Sequence, residues 1–152
     1  MIATNELGST GAAAVRPVIL YACVHNGGRS LAGKVLTAHY GGAFVDVRSA
    51  GSEPGDSLNP AVVDVLHERG LSTDGEAPKL LTREGVVEAD IVITMGCGEA
   101  CPYVPGKRIV DWQLEDPKGK DLETVRGIID DIDARVRQLL AEFGVSVPAD
   151  AQ

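Results

Sequence analysis

Two hydrophobic periods alternate along this chain. Val18–Val24 is a continuous apolar stretch rich in Val and Ile, the pattern of a strand buried on both faces. Over Arg29–Tyr40, Leu31, Val35, Leu36 and Tyr40 recur near helical spacing. Phe44–Val47 alternates in and out and predicts a second strand. Asn59–Arg69 predicts a helix, with Pro60 at its first position, Val62, Val63 and Leu66 on one side and Gly70 as its stop. Thr82–Ala89 predicts a short helix capped by Thr82, with Gly85 as a weak point. Ile91–Met95 and Arg108–Asp111 predict a third and a fourth strand. The final helix carries the strongest signal: Leu122, Val125, Ile128, Ile129, Ile132, Val136, Leu139, Leu140 and Phe143 recur at spacings of three, four and one.

Strands alternating with helices predict an α/β fold, a three-layer sandwich with a four-stranded parallel sheet flanked by helices. Ligands of such sheets bind beyond the carboxyl ends of the strands, at a switch point. That singles out the loops after Val24, Met95 and Asp111. Residues 1–16 are small and polar and predict a disordered extension. Residues 17–143 form one domain, and 144–152 a loose tail.

Composition narrows the possibilities. The chain has 152 residues, 44 % of them hydrophobic, enough for a core and for one domain. Its longest apolar run, Pro17–Val24, is far shorter than the roughly 20 residues of a membrane-spanning helix. The N-terminus shows no secretory pattern, so a cytoplasmic chain is expected. A net charge of −8 and 4 % aromatic residues argue against nucleic-acid binding. The same charge requires a local positive site for any anionic substrate. Three cysteines, Cys23, Cys97 and Cys101, are an odd count, and in a reducing compartment they point to metal, redox or nucleophile chemistry.

Cys23-Val24-His25-Asn26-Gly27-Gly28-Arg29-Ser30 joins the first strand to the first helix. Gly27 and Gly28 let the backbone curl so that N–H groups converge on an anion, and the helix start adds its positive end. Arg29 can grip two oxygens bidentately. The surrounding positive field favours the Cys23 thiolate, and Ser30 can donate a hydrogen bond to it. A nucleophile is thereby aimed at the central atom of a tetrahedral oxyanion. The bland alternative is a glycine-rich turn holding a structural cysteine. Asn26 is expected to order the loop. His25 either tunes Cys23 or simply faces solvent.

Gly96-Cys97-Gly98-Glu99-Ala100-Cys101-Pro102 leaves the third strand. Four residues on a helix rise about 6 Å, near the limit for a bridgeable pair, and the glycines and Pro102 make the segment easy to remodel. A redox pair is the favoured reading. Two alternatives stay open: a zinc site built from Cys97, Cys101, Cys23 and a histidine, or two inert cysteines. Asp116-Pro117 lies in the loop after the fourth strand, where proline restricts the aspartate to extended conformations. Asp116 can serve as a general acid, the alternative being an ordinary turn. His39, His67, Lys107, Arg108 and the Asp130-Asp131-Asp133 cluster are expected on the surface, and Trp112 in packing.

Cys-x5-Arg-Ser on the first strand–helix turn resembles the low-molecular-weight protein tyrosine phosphatases, and Cys23–Ser30 as a whole resembles their arsenate reductase branch. The resemblance runs through Ser49-Ala50-Gly51-Ser52, Ile93-Thr94-Met95-Gly96-Cys97, Cys101-Pro102 and Asp111-Trp112 to Asp116-Pro117. It implies that Cys23 attacks arsenate, with Asp116 protonating the departing oxygen and Val24–Ser30 cradling the anion. It further implies that Cys97 displaces arsenite from Cys23 and that Cys101 resolves the mixed disulfide. Thioredoxin would reduce the final pair, and phosphate or sulfate would compete with arsenate. No cofactor or metal is expected. Gly28 stands where some thioredoxin-coupled members carry another cysteine, and the cysteine pair is closer together than theirs. The loop is similar to actinobacterial reductases, whose relatives use mycothiol and a mycoredoxin, so that donor stays open. So do a hydrolytic phosphatase, a non-enzymatic oxyanion binder and a homodimer. Leu31-Ala32-Gly33 also departs from the family's usual residues after the loop serine, which bears on helix stability there.

Overall fold

A computed structural model of the protein describes residues 16–96, 102 and 104–147. The expectations for residues 1–15 and 148–152, and those for Cys97 and Cys101, lie outside the described residues. Four parallel strands form the sheet: β1 (Val18–Cys23), β2 (Asp46–Gly51), β3 (Ile91–Thr94) and β4 (Arg108–Asp111), in the order β2-β1-β3-β4. Val18 to Cys23 pair with Asp46 to Gly51 on one side of β1, and Ile19 to Ala22 pair with Ile91 to Thr94 on the other. The helices are α1 (Arg29–Gly41), α2 (Pro60–Glu68), α3 (Arg83–Glu88) and α4 (Leu122–Glu142).

Alternate residues of β1 feed two cores, as the two-residue period of a strand requires. Ile19, Tyr21 and Cys23 join Ile91, Ile93 and the inner faces of α1, α2 and α4 in the larger core. Leu20 and Ala22 join Val92, Leu81, Val86 and Ala89 in a smaller one beneath α3. A strand buried on both faces explains why β1 reads as a continuous apolar run. α4 owes its place to Val125, Ile129, Ile132, Val136 and Leu140, all fully buried. Each such side chain contributes roughly 1.5–3 kcal/mol on leaving water. Asp121 caps this helix by accepting from the Thr124 N–H at 2.9 Å. Val145 and Val147 also pack against the larger core.

The expected second strand needs correction. Gly42–Phe44 is a turn of 3-10 helix and Phe44 is exposed, while β2 begins at Asp46 and runs to Gly51. The alternating Phe44–Val47 pattern marked only the entrance. Arg48-Ser49-Ala50-Gly51 becomes strand through its ladder to β1 rather than through its own propensity. The expected caps are in place: Pro60 starts α2, and the Thr82 hydroxyl accepts from the Gly85 N–H at 3.0 Å. Gly33, unusual after the loop serine, has a packing reason. A Cβ there would lie 2.8 Å from the Tyr21 ring, so glycine lets α1 lie close on the sheet.

β1 lies between its sequence neighbour β2 and the later β3, so the chain changes direction across the sheet at β1. The loops after β1 and β3 therefore emerge side by side, which is the switch point of this sheet. Among the described residues, no helix is long and apolar enough to cross a membrane.

Candidate active site

The loop between β1 and α1 is held from outside by backbone. Ser52 N–H donates to Cys23 C=O at 3.1 Å, Glu53 N–H to Val24 C=O at 2.8 Å, Gly55 N–H to His25 C=O at 3.1 Å and Asn59 N–H to Gly27 C=O at 2.8 Å. With the carbonyls engaged outward, the N–H groups of the loop remain for an anion at the start of α1. No α1 cap side chain competes for them.

Asn26 is the organiser. It is buried, with φ at +56°, a left-handed conformation that asparagine tolerates better than most residues. Its Oδ1 accepts the Lys79 backbone N–H at 2.8 Å, which fixes which way the amide points. Its Nδ2 therefore donates to Ser30 Oγ at 2.8 Å. Ser30, itself fully buried, lies 2.9 Å from Cys23 Sγ. Toward a Cys23 thiolate, which has no proton to give, the Ser30 hydroxyl is the donor while its oxygen accepts from Asn26. The chain Lys79 N–H, Asn26 amide, Ser30 hydroxyl, Cys23 sulfur ends in a donor aimed at the group that would carry negative charge. Hydrogen bonds to charged groups contribute about 1.5–3 kcal/mol, roughly twice the neutral value.

Asn26→Ala should slow alkylation of Cys23 by iodoacetamide at neutral pH about tenfold, taking the lower end of that range. Mass spectrometry of the Cys23 peptide reads this without interference from the other cysteines. Unchanged alkylation would mean that the Asn26–Ser30 pair does not reach the sulfur's reactivity.

A cleft of about 670 Å³ opens over this loop, with room for far more than one tetrahedral oxyanion. Its floor is Cys23, Gly27, Gly28 and Arg29. One wall is Asp56–Ala61 and the other Asp116–Lys120. The Arg29 guanidinium is largely buried and stands 3.8 Å from Asp116 Oδ2, while Asp116 is half exposed. Asp116 Oδ1 accepts the Lys118 N–H at 3.0 Å, which holds the carboxylate over the cleft. Pro117 packs directly on the loop: a Cβ at Gly28 would lie 2.9 Å from Pro117 Cγ. Glycine at 28 has a packing reason, since it lets the loop carrying Asp116 come down on the loop between β1 and α1.

The structure therefore brings together Cys23, Arg29, Asp116 and the Val24–Ser30 loop. His25 is exposed, lines the same cleft, and its Nδ1 pairs with Glu53 C=O at 3.0 Å. Trp112 packs on Tyr21 with ring centroids 5.7 Å apart. Burial raises the Tyr21 phenol above its usual range, and its hydroxyl pairs with Thr37 at 2.6 Å, so it stays neutral in the core. Lys107 donates to the Val87 and Ala89 carbonyls at the end of α3, and Arg108 pairs with Glu142. Asp130, Asp131 and Asp133 pair with Arg69, Arg135 and Arg137. The zinc alternative needs Cys97 and Cys101, which are outside the described residues. Among the described residues, no cluster of three or more His, Cys, Asp or Glu side chains could hold a metal. The roles of the Lys79 backbone and of Pro117 escape sequence reading, because neither depends on a distinctive side chain near the loop.

Residues 18–149 match the family model described as low molecular weight phosphotyrosine protein phosphatase. The chain belongs to this family. Among curated proteins, a putative arsenate reductase of Halobacterium salinarum is 32 % identical over 128 residues, covering 81 % of this chain and 90 % of that protein. A glutaredoxin arsenate reductase of Synechocystis is 28 % identical, covering 82 % and 97 %. Among solved structures, a thioredoxin-dependent arsenate reductase of Corynebacterium glutamicum superposes with a TM-score of 0.76 at 43 % identity. The superposition covers 85 % of this chain, which spans 62 % of the length of the Corynebacterium chain. The parallel four-stranded architecture expected from the sequence is the fold shared with these family members.

Proposed function

We propose that this chain is a cytoplasmic arsenate reductase that cycles through Cys23, Cys97 and Cys101 and is regenerated by thioredoxin. The observation that carries the proposal is the meeting of Cys23, Arg29 and Asp116 in one cleft, with the Asn26–Ser30 pair directed at the sulfur. A hydrolytic phosphatase would need only these residues. Two further cysteines in the segment leaving β3, the strand beside β1, favour a reductase, as do the names of the relatives.

The Cys23 thiolate attacks arsenic while the loop N–H groups and Arg29 hold the oxygens. Asp116 protonates one oxygen, which leaves as water, and a Cys23–S–As bond remains. The Cys97 thiolate attacks Cys23 Sγ. The sulfur–arsenic pair of electrons passes to arsenic, so arsenic(V) leaves as arsenite and a Cys23–Cys97 disulfide forms. The Cys101 thiolate then attacks Cys97 Sγ and frees Cys23. Thioredoxin supplies two electrons to the Cys97–Cys101 disulfide. Phosphate and sulfate, of the same shape, compete for the cradle.

Asp116→Asn should slow arsenate reduction about 100-fold, the lower end of what general acids supply, and leave the Kd for phosphate within about threefold. Stopped-flow rates and isothermal titration calorimetry read the two effects separately. A slower rate matched by equal loss of binding would place Asp116 in binding rather than in proton transfer.

The deciding experiment is arsenate-dependent NADPH oxidation with thioredoxin and its reductase. Sustained turnover supports the proposal. Turnover only with mycothiol and a mycoredoxin would replace the donor. Steady hydrolysis of an aryl phosphate, with no arsenate turnover on either donor, would overturn the reductase reading in favour of a phosphatase.

A further inference from the structure

Gly96 follows β3 and directly precedes Cys97, and its backbone lies against the Arg29 guanidinium. A Cβ at this position would stand 2.6 Å from Arg29 Nη1, 3.2 Å from Cζ and 3.4 Å from Nη2. The first distance is well inside contact, so a side chain at 96 and the present Arg29 position exclude each other. Gly96 also has φ at +100°, where an L side chain is strained. The backbone is the stiffer partner, so the Arg29 guanidinium is the one that would shift. The preceding residues are fixed by the sheet: Met95 N–H donates to Ala22 C=O at 2.7 Å, and Thr94 C=O accepts from Trp112 N–H at 2.8 Å. Arg29 is buried on the first turn of α1, and its guanidinium also stands 3.8 Å from Asp116 Oδ2, so a shift forced at 96 changes its place in the cleft.

We infer that Gly96 is a positioning residue: its bare backbone is the wall that sets the Arg29 guanidinium over the oxyanion cradle. The inference rests on the proposed function only in taking Arg29 as the residue that grips the oxyanion. Bidentate recognition depends on the fork being held in one plane, so turning Nη1 away from a Cβ at 96 takes the fork out of register with a bound oxyanion.

The test is the Kd for inorganic phosphate, by isothermal titration calorimetry on the full reduced chain. Phosphate binding asks nothing of arsenate chemistry or of an electron donor. Gly96→Ala should weaken it at least tenfold. Gly70→Ala and Gly106→Ala are the controls. Both glycines have φ near +80° with nothing within 4 Å of an added Cβ, so each substitution imposes left-handed strain without a clash. They should lower Tm and leave the phosphate Kd within twofold. A double-mutant cycle isolates the contact. In an Arg29→Lys background, which lacks Nη1, adding Gly96→Ala should cost less than twofold further. Equal weakening by Gly96→Ala with and without Arg29→Lys, or unchanged binding by Gly96→Ala, would overturn the positioning role. If Arg29→Ala binds phosphate as tightly as the parent chain, the assignment of Arg29 to the oxyanion falls instead. If Gly96→Ala fails to fold, Gly96→Asn carried through the same cycle presents the same Cβ on the non-glycine residue that best tolerates positive φ.

Discussion

Cys23→Ser should abolish arsenate reduction, to below a thousandth of the parent rate, while phosphate still binds within about threefold. The two halves of this result have separate physical origins. Binding depends on the loop N–H groups, the start of α1 and Arg29, none of which changes when sulfur becomes oxygen. A serine hydroxyl can keep the contact to Ser30 Oγ, now 2.9 Å from the sulfur. Reactivity depends on the anionic nucleophile. A thiolate is a far stronger nucleophile than a neutral alcohol, which needs an adjacent general base to attack. The site offers Cys23 a donor in Ser30, not a base, so the serine variant has nothing to activate it. Oxygen also cannot form the disulfide that carries electrons off the adduct. Rapid-quench analysis of arsenite reads the first half and calorimetry with phosphate the second. Residual reduction at a hundredth of the parent rate would mean that another thiol attacks arsenate directly.

The candidate oxyanion loop is legible in the sequence because the residues that make it a candidate are local. Cysteine, two glycines, arginine and serine lie within eight residues, and the apolar run before them and the helical spacing after them say which way the loop faces. Asp116 is legible for a related reason, since proline fixes the residue before it. What is not legible is whatever depends on contacts between segments far apart in the chain. The Lys79 N–H that orients Asn26 is 53 residues away and belongs to no motif. Pro117 over Gly28 is a contact between two loops, visible only when both are placed. The start of β2 failed for a neighbouring reason. Phe44–Val47 has the alternation of a strand, yet the ladder to β1 begins at Asp46 and takes in Arg48-Ser49-Ala50-Gly51, which no propensity scale favours. The same ladder puts Gly51 opposite Cys23, and so sets the loop after β2 against the oxyanion loop.

Cys97→Ala and Cys101→Ala should each abolish thioredoxin-driven turnover, but they should fail at different steps. Without Cys97 nothing attacks Cys23 Sγ, so the enzyme should stop as the arsenic adduct of Cys23 and release no arsenite. Without Cys101 the first displacement still occurs. One equivalent of arsenite should be released per chain, and the protein should then hold a Cys23–Cys97 disulfide. Each attack is a thiolate displacing a thiolate, so it is blocked outright when the attacking sulfur is absent. Acid quench, arsenite determination and mass spectrometry of the trapped peptides distinguish the two states. The order of the cysteines is thereby exposed: a burst of arsenite from Cys97→Ala and none from Cys101→Ala would reverse their roles. A burst from neither, with turnover restored by mycothiol and a mycoredoxin, would leave Cys23 as the sole essential thiol. The end of the strand that precedes the pair gives the expected first displacement its physical basis. The segment begins at Gly96, against Arg29, after the strand whose ladder to β1 runs up to Ala22, one residue short of Cys23.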